Sequence, residues 1–345
     1  MKTISKLLAL GAVGTLTASA VRRVMPAWAA RTRQLERVAP GLRSRALYLQ
    51  TSVDGDRKLR MARRLLSRPG PLRPGVAVRE TIAQMPGGDP VRVLLYERPE
   101  RVRPSGALVW IHGGGFVMGV PEGDHEFCSR VADELDVLVL NVDYRLAPEH
   151  PFPAGLDDCL VALDWLHDRC DELGLDPNRF AVGGASAGAG LAASVAQAVH
   201  DRGRPTLALQ LLQYPMLDDR TATREPSPDG DALVWSSRSN RFAWAAYLGH
   251  EPGEPEDRPY AVPARRHKMR GLPPAFICVG DIDLFHDEDV LYARRLAAAE
   301  VPCEVHVVPG MFHAADMMVP DDPAMVEVRR RMIDALRGAL RPAAR

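Results

Sequence analysis

Ser186 stands at the centre of Gly184-Ala185-Ser186-Ala187-Gly188, a G-x-S-x-G run that follows the apolar segment Phe180 to Gly183 and opens a small-residue stretch reaching about Arg202. A serine hydroxyl is a weak nucleophile until a base takes its proton. A tight strand-to-helix turn presents it: glycines stand where side chains would clash, and the hydroxyl is thrust above the sheet edge. The helix beginning there adds partial positive charge at its amino end. A second run, His112-Gly113-Gly114-Gly115-Phe116, closes the apolar segment Ala107 to His112. Three consecutive glycines cost conformational entropy, which a plain turn does not justify. Bare backbone can, however, bring N–H groups to the oxygen on which charge develops when a hydroxyl attacks a carbonyl.

A base and an acid are then required. His313 follows the apolar run Cys303 to Val308 through Pro309-Gly310-Met311-Phe312. That is a loop at a strand's carboxyl end, where open α/β sheets bind ligands. It can take the Ser186 proton and return it to a leaving alcohol. Of the other nine histidines, His112 belongs to the glycine loop and His306 to a strand, while His125, His150, His167, His200, His250, His267 and His286 precede the expected position. For the acid, Val279-Gly280-Asp281-Ile282-Asp283-Leu284 offers both Asp281 and Asp283 just past a strand end, whereas Asp287 and Asp289 read as the start of the next helix. Gly188-Ala189-Gly190 with Ala193 also matches the dinucleotide fingerprint G-x-G-x-x-A. That match puts its glycines inside a helix and leaves the glycine loop, acid and base unexplained.

From Val76 onward, β-rich runs alternate with helical patterns, the signature of an α/β fold with a largely parallel sheet covered on both faces. Eight strands are expected: Val76–Ile82, Val91–Tyr96, Ala107–His112, Val137–Tyr144, Phe180–Gly183, Leu207–Gln213, Ala275–Gly280 and Cys303–Val308. Pro86-Gly87-Gly88-Asp89-Pro90 is too short for a helical crossover, so the first two form a hairpin. Leu156, Leu160, Leu163, Leu166, Cys170 and Leu173 mark one amphipathic helix; Met325, Val328, Met332 and Leu336 mark a last one, starting at Asp321. Residues 35–75 and 216–262 break the alternation. Long connections of this kind are usually lids, and the second holds Leu233, Val234, Trp235, Phe242, Trp244, Tyr247 and Leu248, which need cover. Both are assigned to a helical cap over a catalytic domain of residues 76–215 and 263–345, with Phe116 and Trp235 as candidate walls of a substrate pocket.

The overall charge is zero, yet residues 1–75 hold 16 Lys and Arg against Glu36, Asp54 and Asp56, an arm of +13 facing a remainder of −13. Such an arm suits an anionic membrane surface or the acidic body itself; neither overall charge nor motif content suggests nucleic acid. Lys2 and Lys6 precede fifteen uncharged residues, Leu7 to Val21, then Arg22 and Arg23. This is short for a membrane span. Within residues 1–34, a signal peptide, a surface anchor and an extra cap helix all fit, so export or membrane association and a cytoplasmic location are equally compatible. Nothing in the sequence speaks to oligomeric state. Five cysteines without a C-x-x-C indicate neither a disulfide framework nor a zinc site.

With His112-Gly113-Gly114-Gly115-Phe116, the run Asp143-Tyr144-Arg145-Leu146-Ala147-Pro148-Glu149-His150-Pro151-Phe152-Pro153-Ala154, the serine motif, G-x-x-D ending at Asp283, and His313, the chain from Val76 onward resembles the hormone-sensitive-lipase-like family of α/β-hydrolases, the bacterial carboxylesterases in particular. The resemblance implies an eight-stranded sheet, a cap built from the amino terminus and an insertion after the sixth strand, and no metal or organic cofactor. It implies a triad of Ser186, Asp283 and His313. It further implies an oxyanion hole from Gly114, Gly115 and the Ala187 amide, with Gly113 shaping the loop, and small ester substrates with short or medium acyl chains. Ala185 departs from the Asp or Glu that many members carry, and the basic extension before about residue 35 exceeds what the cap requires. The same machinery could serve amides, formamides or lactones, and a non-catalytic small-molecule receptor could retain the fold.

Overall fold

All eight expected strands form in one sheet: β1 (Ala77–Ala83), β2 (Val91–Glu97), β3 (Ser105–Ile111), β4 (Leu138–Val142), β5 (Leu175–Ala185), β6 (Leu209–Gln213), β7 (Ala275–Gly280) and β8 (Cys303–Val308). Their order is β1-β2-β4-β3-β5-β6-β7-β8. The architecture comes from a computed structural model that describes residues 30–48, 52–225 and 231–341; the uncharged stretch Leu7 to Val21 lies outside them. The first hairpin is antiparallel, Ala77 opposite Glu97 and Ala83 opposite Val91, and β2 runs antiparallel to β4. All remaining pairs are parallel. Strands β3, β4, β6 and β7 are buried along their whole length, which is why they read as continuous apolar runs and not as alternations. The period of two still sorts them: Val109, Ile111, Leu140 and Val182 join one core, Leu108, Trp110, Val139 and Ala181 the other.

Strand β5 begins five residues earlier than the apolar pattern indicates, since Leu175 pairs with Ser105 across a register shift. Asp176, Pro177 and Asn178 hide this polar end. The helices are α1 (Asp56–Leu66), α2 (His125–Leu135), α3 (Ala154–His167), α4 (Cys170–Leu173), α5 (Ala187–Arg202), α6 (Ser237–Leu248), α7 (His286–Ala298), α8 (Ala315–Met318) and α9 (Pro323–Leu340). The single helix expected from Leu156 to Leu173 is thus two, α3 and α4, whose apolar stripes are both buried. Helix α9 is capped by Asp322, not Asp321: the Asp322 side chain accepts from the Ala324 amide, and Pro323 takes the first position, where no N–H is needed.

Helix α5 is buried from Ala187 to Val199, and its small residues permit close approach. A Cβ on Gly188 would lie 2.1 Å from the Ile111 carbonyl oxygen, and one on Gly190 2.2 Å from that of Met216. The glycines of the dinucleotide pattern therefore serve helix-to-backbone packing.

The two irregular segments meet: the Val53 amide donates to Ser239 Oγ at 2.9 Å, and Ser236 Oγ donates to Ser52 Oγ at 3.2 Å. Not all of residues 35–75 rides above the sheet. A helical stretch over residues 30–37 crosses the boundary expected at residue 34, Val38, Leu42 and Leu47 are buried, and the Ala39 amide donates to the Gly310 carbonyl at 3.1 Å. This apolar stretch packs against the loop before His313, while α1 stands apart from it.

Candidate active site

The backbone at Ser186 adopts φ 56°, ψ −120°, a region costing on the order of 1–3 kcal/mol for a residue with a Cβ. Three hydrogen bonds hold it there. The Ser186 amide donates to Gln213 O at 2.9 Å, and the Ser186 carbonyl accepts from the Gly190 and Met216 amides, each at 3.0 Å. The turn closes only because Gly184 and Gly188 lack side chains; a Cβ on Gly184 would lie 2.5 Å from the Gly188 carbonyl carbon.

His313 Nε2 lies 2.9 Å from Ser186 Oγ, and His313 Nδ1 lies 2.9 Å from Asp283 Oδ2. With Nδ1 protonated, the imidazole donates to the carboxylate and accepts from the serine hydroxyl. All three side chains are buried. Asp283 Oδ1 accepts from the Phe285 amide at 2.9 Å, so both carboxylate oxygens are engaged. Asp281, the other candidate acid, accepts from the Gly310 amide at 2.6 Å and braces the turn leading to His313.

The rings of Tyr214 and Phe285 meet His313 edge-on, with centroids 4.7 and 5.1 Å away. Tyr214 donates through its hydroxyl to Asp316 Oδ1 at 2.8 Å, and Gln213 Nε2 donates to Asp316 Oδ2 at 2.9 Å. Burial holds the Asp316 carboxyl above its ordinary range, opposed by these two bonds. Behind Asp283, Glu288 and Asp289 are buried in the first turn of α7; burial pushes Glu288 up to about 8 and Asp289 upward too, the latter helped by the charges of Glu288 and Asp283. Sequence reasoning took Asp289 for a helix-starting residue and missed Tyr214, Phe285, Asp316 and Glu288. A position just after a strand was the sole available signal for Tyr214.

Gly113 sits against the nucleophile turn, where a Cβ would be 3.5 Å from the Ser186 Cβ. Gly114 (φ 123°) and Gly115 (φ 62°) take conformations natural to glycine, and the Gly114 carbonyl accepts from the Val117 and Met118 amides at 3.2 and 3.1 Å. Their own amides donate to no backbone carbonyl among the described residues. The Ala187 amide opens α5 and has no acceptor within the helix. His112 supports the loop: its Nδ1 bonds the Gly113 carbonyl at 2.8 Å, its ring stacks on Tyr144 at 4.4 Å, and burial holds its pKa down, keeping it neutral.

The Trp235 ring lies against Gly115, where a Cβ would come within 2.3 Å of its Cη2, and its indole N–H donates to Asn240 Oδ1 at 3.3 Å. Phe116 is packed elsewhere, stacking on Tyr247 at 4.1 Å and meeting Trp244 at 5.2 Å. These contacts join the glycine loop to α6.

The alpha/beta hydrolase fold family matches residues 108–317. The chain is 35% identical to esterase LipI of Mycobacterium tuberculosis over 83% of its own length and 89% of that protein's, and 34% identical to carboxylesterase NlhH of the same species over 84% and 91%. Among solved structures, a bacterial heroin esterase superposes with a TM-score of 0.82 at 35% identity, covering 89% of this chain and 99% of that one. Esterase LipW from Mycobacterium marinum superposes with a TM-score of 0.78 at 32% identity, covering 88% and 96%. Fold, motifs and relatives agree, and the chain belongs to the α/β-hydrolase family, in its hormone-sensitive-lipase-like branch of carboxylic ester hydrolases.

Proposed function

We propose that the chain hydrolyses short- to medium-chain carboxylic esters through an acyl-enzyme on Ser186, with His313 as general base and Asp283 holding the imidazole. The hydrogen-bonded relay Asp283–His313–Ser186, with both links at 2.9 Å, carries this reading. Ser186 Oγ attacks the ester carbonyl as His313 Nε2 takes its proton; the tetrahedral oxyanion is received by the amides of Gly114, Gly115 and Ala187. Collapse expels the alcohol, which takes the proton from His313. Water then attacks the acyl-enzyme, giving its proton to His313, and the acid leaves as Ser186 is reprotonated.

Residues 76–215 and 263–345 form the catalytic body in this reading, with α1 and residues 216–262 as its cap. Trp235, beside Gly115, is the aromatic residue assigned to the pocket, and Phe116 packs the cap onto the loop. A chromogenic ester series from acetyl to palmitoyl, run with wild type and Ser186→Ala, tests the proposal. Turnover should peak at the shorter chains and fall by about five to six orders of magnitude in the variant. Retained activity in Ser186→Ala would overturn it, and activity confined to matched amides would reassign the bond that is cleaved.

A further inference from the structure

Helix α1 carries an unusual outer face. Arg57, Met61 and Leu65 recur at steps of four and so share one side, flanked by Arg60 and Arg64, and Arg68 follows two residues past the helix's end. All six are exposed, Met61 at 60% and Leu65 at 58%. None of the four arginines has an ion-pair partner among the described residues. On α9, by contrast, Arg330, Arg331 and Arg337 are each paired to Glu327 or Asp334. The opposite side of α1 is fixed to the body: Leu59 is buried, and Arg63 donates to the carbonyls of Val117 and Ala147 at 2.7 and 2.9 Å and to Glu149 at 2.7 Å.

We propose that this face docks the protein on an anionic lipid surface, with Met61 and Leu65 entering the headgroup boundary and Arg57, Arg60, Arg64 and Arg68 pairing with lipid phosphates. Long apolar side chains among cations are the composition of an interfacial helix. The +13 charge of residues 1–75 supplies attraction from further away. The alternative anionic partner, a nucleic acid duplex, is bound through its phosphates by cations alone and leaves the exposed Met61 and Leu65 without a role, whereas a lipid surface uses both. Since Arg63 ties α1 to the chain just after the glycine loop, docking there would turn the site toward the lipid. That last consequence rests on the proposed esterase reading; the docking itself does not.

The test is co-sedimentation of the full chain with vesicles of phosphatidylcholine alone or with about one-third phosphatidylglycerol, at low and high salt. Three proteins are compared: wild type, the quadruple variant Arg57→Gln/Arg60→Gln/Arg64→Gln/Arg68→Gln, and the double variant Met61→Ser/Leu65→Ser. Wild type should bind the anionic vesicles and lose binding with salt. Each cation contributes about fivefold to partitioning, so the quadruple variant should bind at least about 100-fold more weakly. The double variant should also bind more weakly at unchanged charge. Hydrolysis of a soluble acetate ester, equal in all three, separates lost docking from lost fold and stands apart from the vesicle result. The proposal is overturned by absence of wild-type binding or by a quadruple variant that binds as wild type does. It is equally overturned by a double variant that binds the anionic vesicles as tightly as wild type does.

Discussion

Glu288 provides a direct test of the physics beneath the acid. It is buried at the start of α7; its Oε1 accepts from the Leu217 and Asp218 amides at 2.7 and 3.0 Å, and these amides and the Thr221 hydroxyl beside it oppose the effect of burial. Burial raises its folded-state pKa to about 8, against an ordinary value of 4.5. The folded chain therefore holds this proton more tightly than the unfolded chain. The contribution of Glu288 to stability is complete below about pH 4.5, declines as pH rises from there to about 8, and is level above. At about 1.4 kcal/mol per pH unit, the gap between 4.5 and about 8 amounts to about 5 kcal/mol. Glu288→Gln keeps an oxygen that can accept from the same two amides but cannot ionise. Chemical denaturation of both proteins from about pH 5 to 9 isolates the effect, since groups that do not interact with residue 288 cancel in the difference. The variant should gain on wild type by several kcal/mol across that window, nearly all of it below pH 8. Relief of the charge acting on Asp289 adds in the same direction. Parallel stability curves would refute the reasoning and mean that the two amides keep Glu288 ionised throughout. Because Glu288 ties the helix after Asp283 to the chain after β6, wild-type activity should fail at alkaline pH sooner than that of the variant.

Three further expectations concern the site. Gly114→Ala places a Cβ 2.0 Å from the Met118 carbonyl oxygen at φ 123°; the loop must move, and kcat on an acetate ester should drop by about 10²–10³ with KM little changed, as for loss of one oxyanion donor. Ala314 follows His313 in the left-handed region, φ 58° and ψ 32°. Ala314→Gly should therefore raise stability by up to about 1 kcal/mol, less what the freer unfolded chain takes back, with activity unchanged; thermal unfolding and steady-state kinetics check both parts. Trp235→Ala clears the space beside Gly115 and should move the chain-length optimum toward longer acyl groups, at a cost of about 3–5 kcal/mol in stability; an unmoved optimum would make Trp235 a packing residue only.

Much of this site was legible because its parts act through the backbone. Gly184, Gly188 and Gly113 to Gly115 stand where a Cβ would strike the chain or where φ is positive, and such demands select one residue type that a reader can see. The eight strands were legible for a similar reason, each being an apolar run bounded by turn residues. The support around the imidazole left no comparable trace. Tyr214, Phe285 and Asp316 come from three separate segments and meet only once β6, α7 and α8 are placed, and a buried tyrosine in a sequence looks like any other. The choice between Asp281 and Asp283 shows the limit most clearly. Both lie just beyond β7, and no pattern rule separates them. The chain turns back at once, the Asp283 amide donating to the Gly280 carbonyl at 3.2 Å, which aims Asp281 at the Gly310 amide and Asp283 at the imidazole. The cap divides in the same way. The whole of residues 35–75 is expected in a helical cap, and α1 is the part that forms a cap helix, whereas residues 38–47 are held to the body by Val38, Leu42 and Leu47 packing near Met311 and Phe312. An apolar triplet in a basic segment says that something must cover it, but only the placement of the loop before His313 says what.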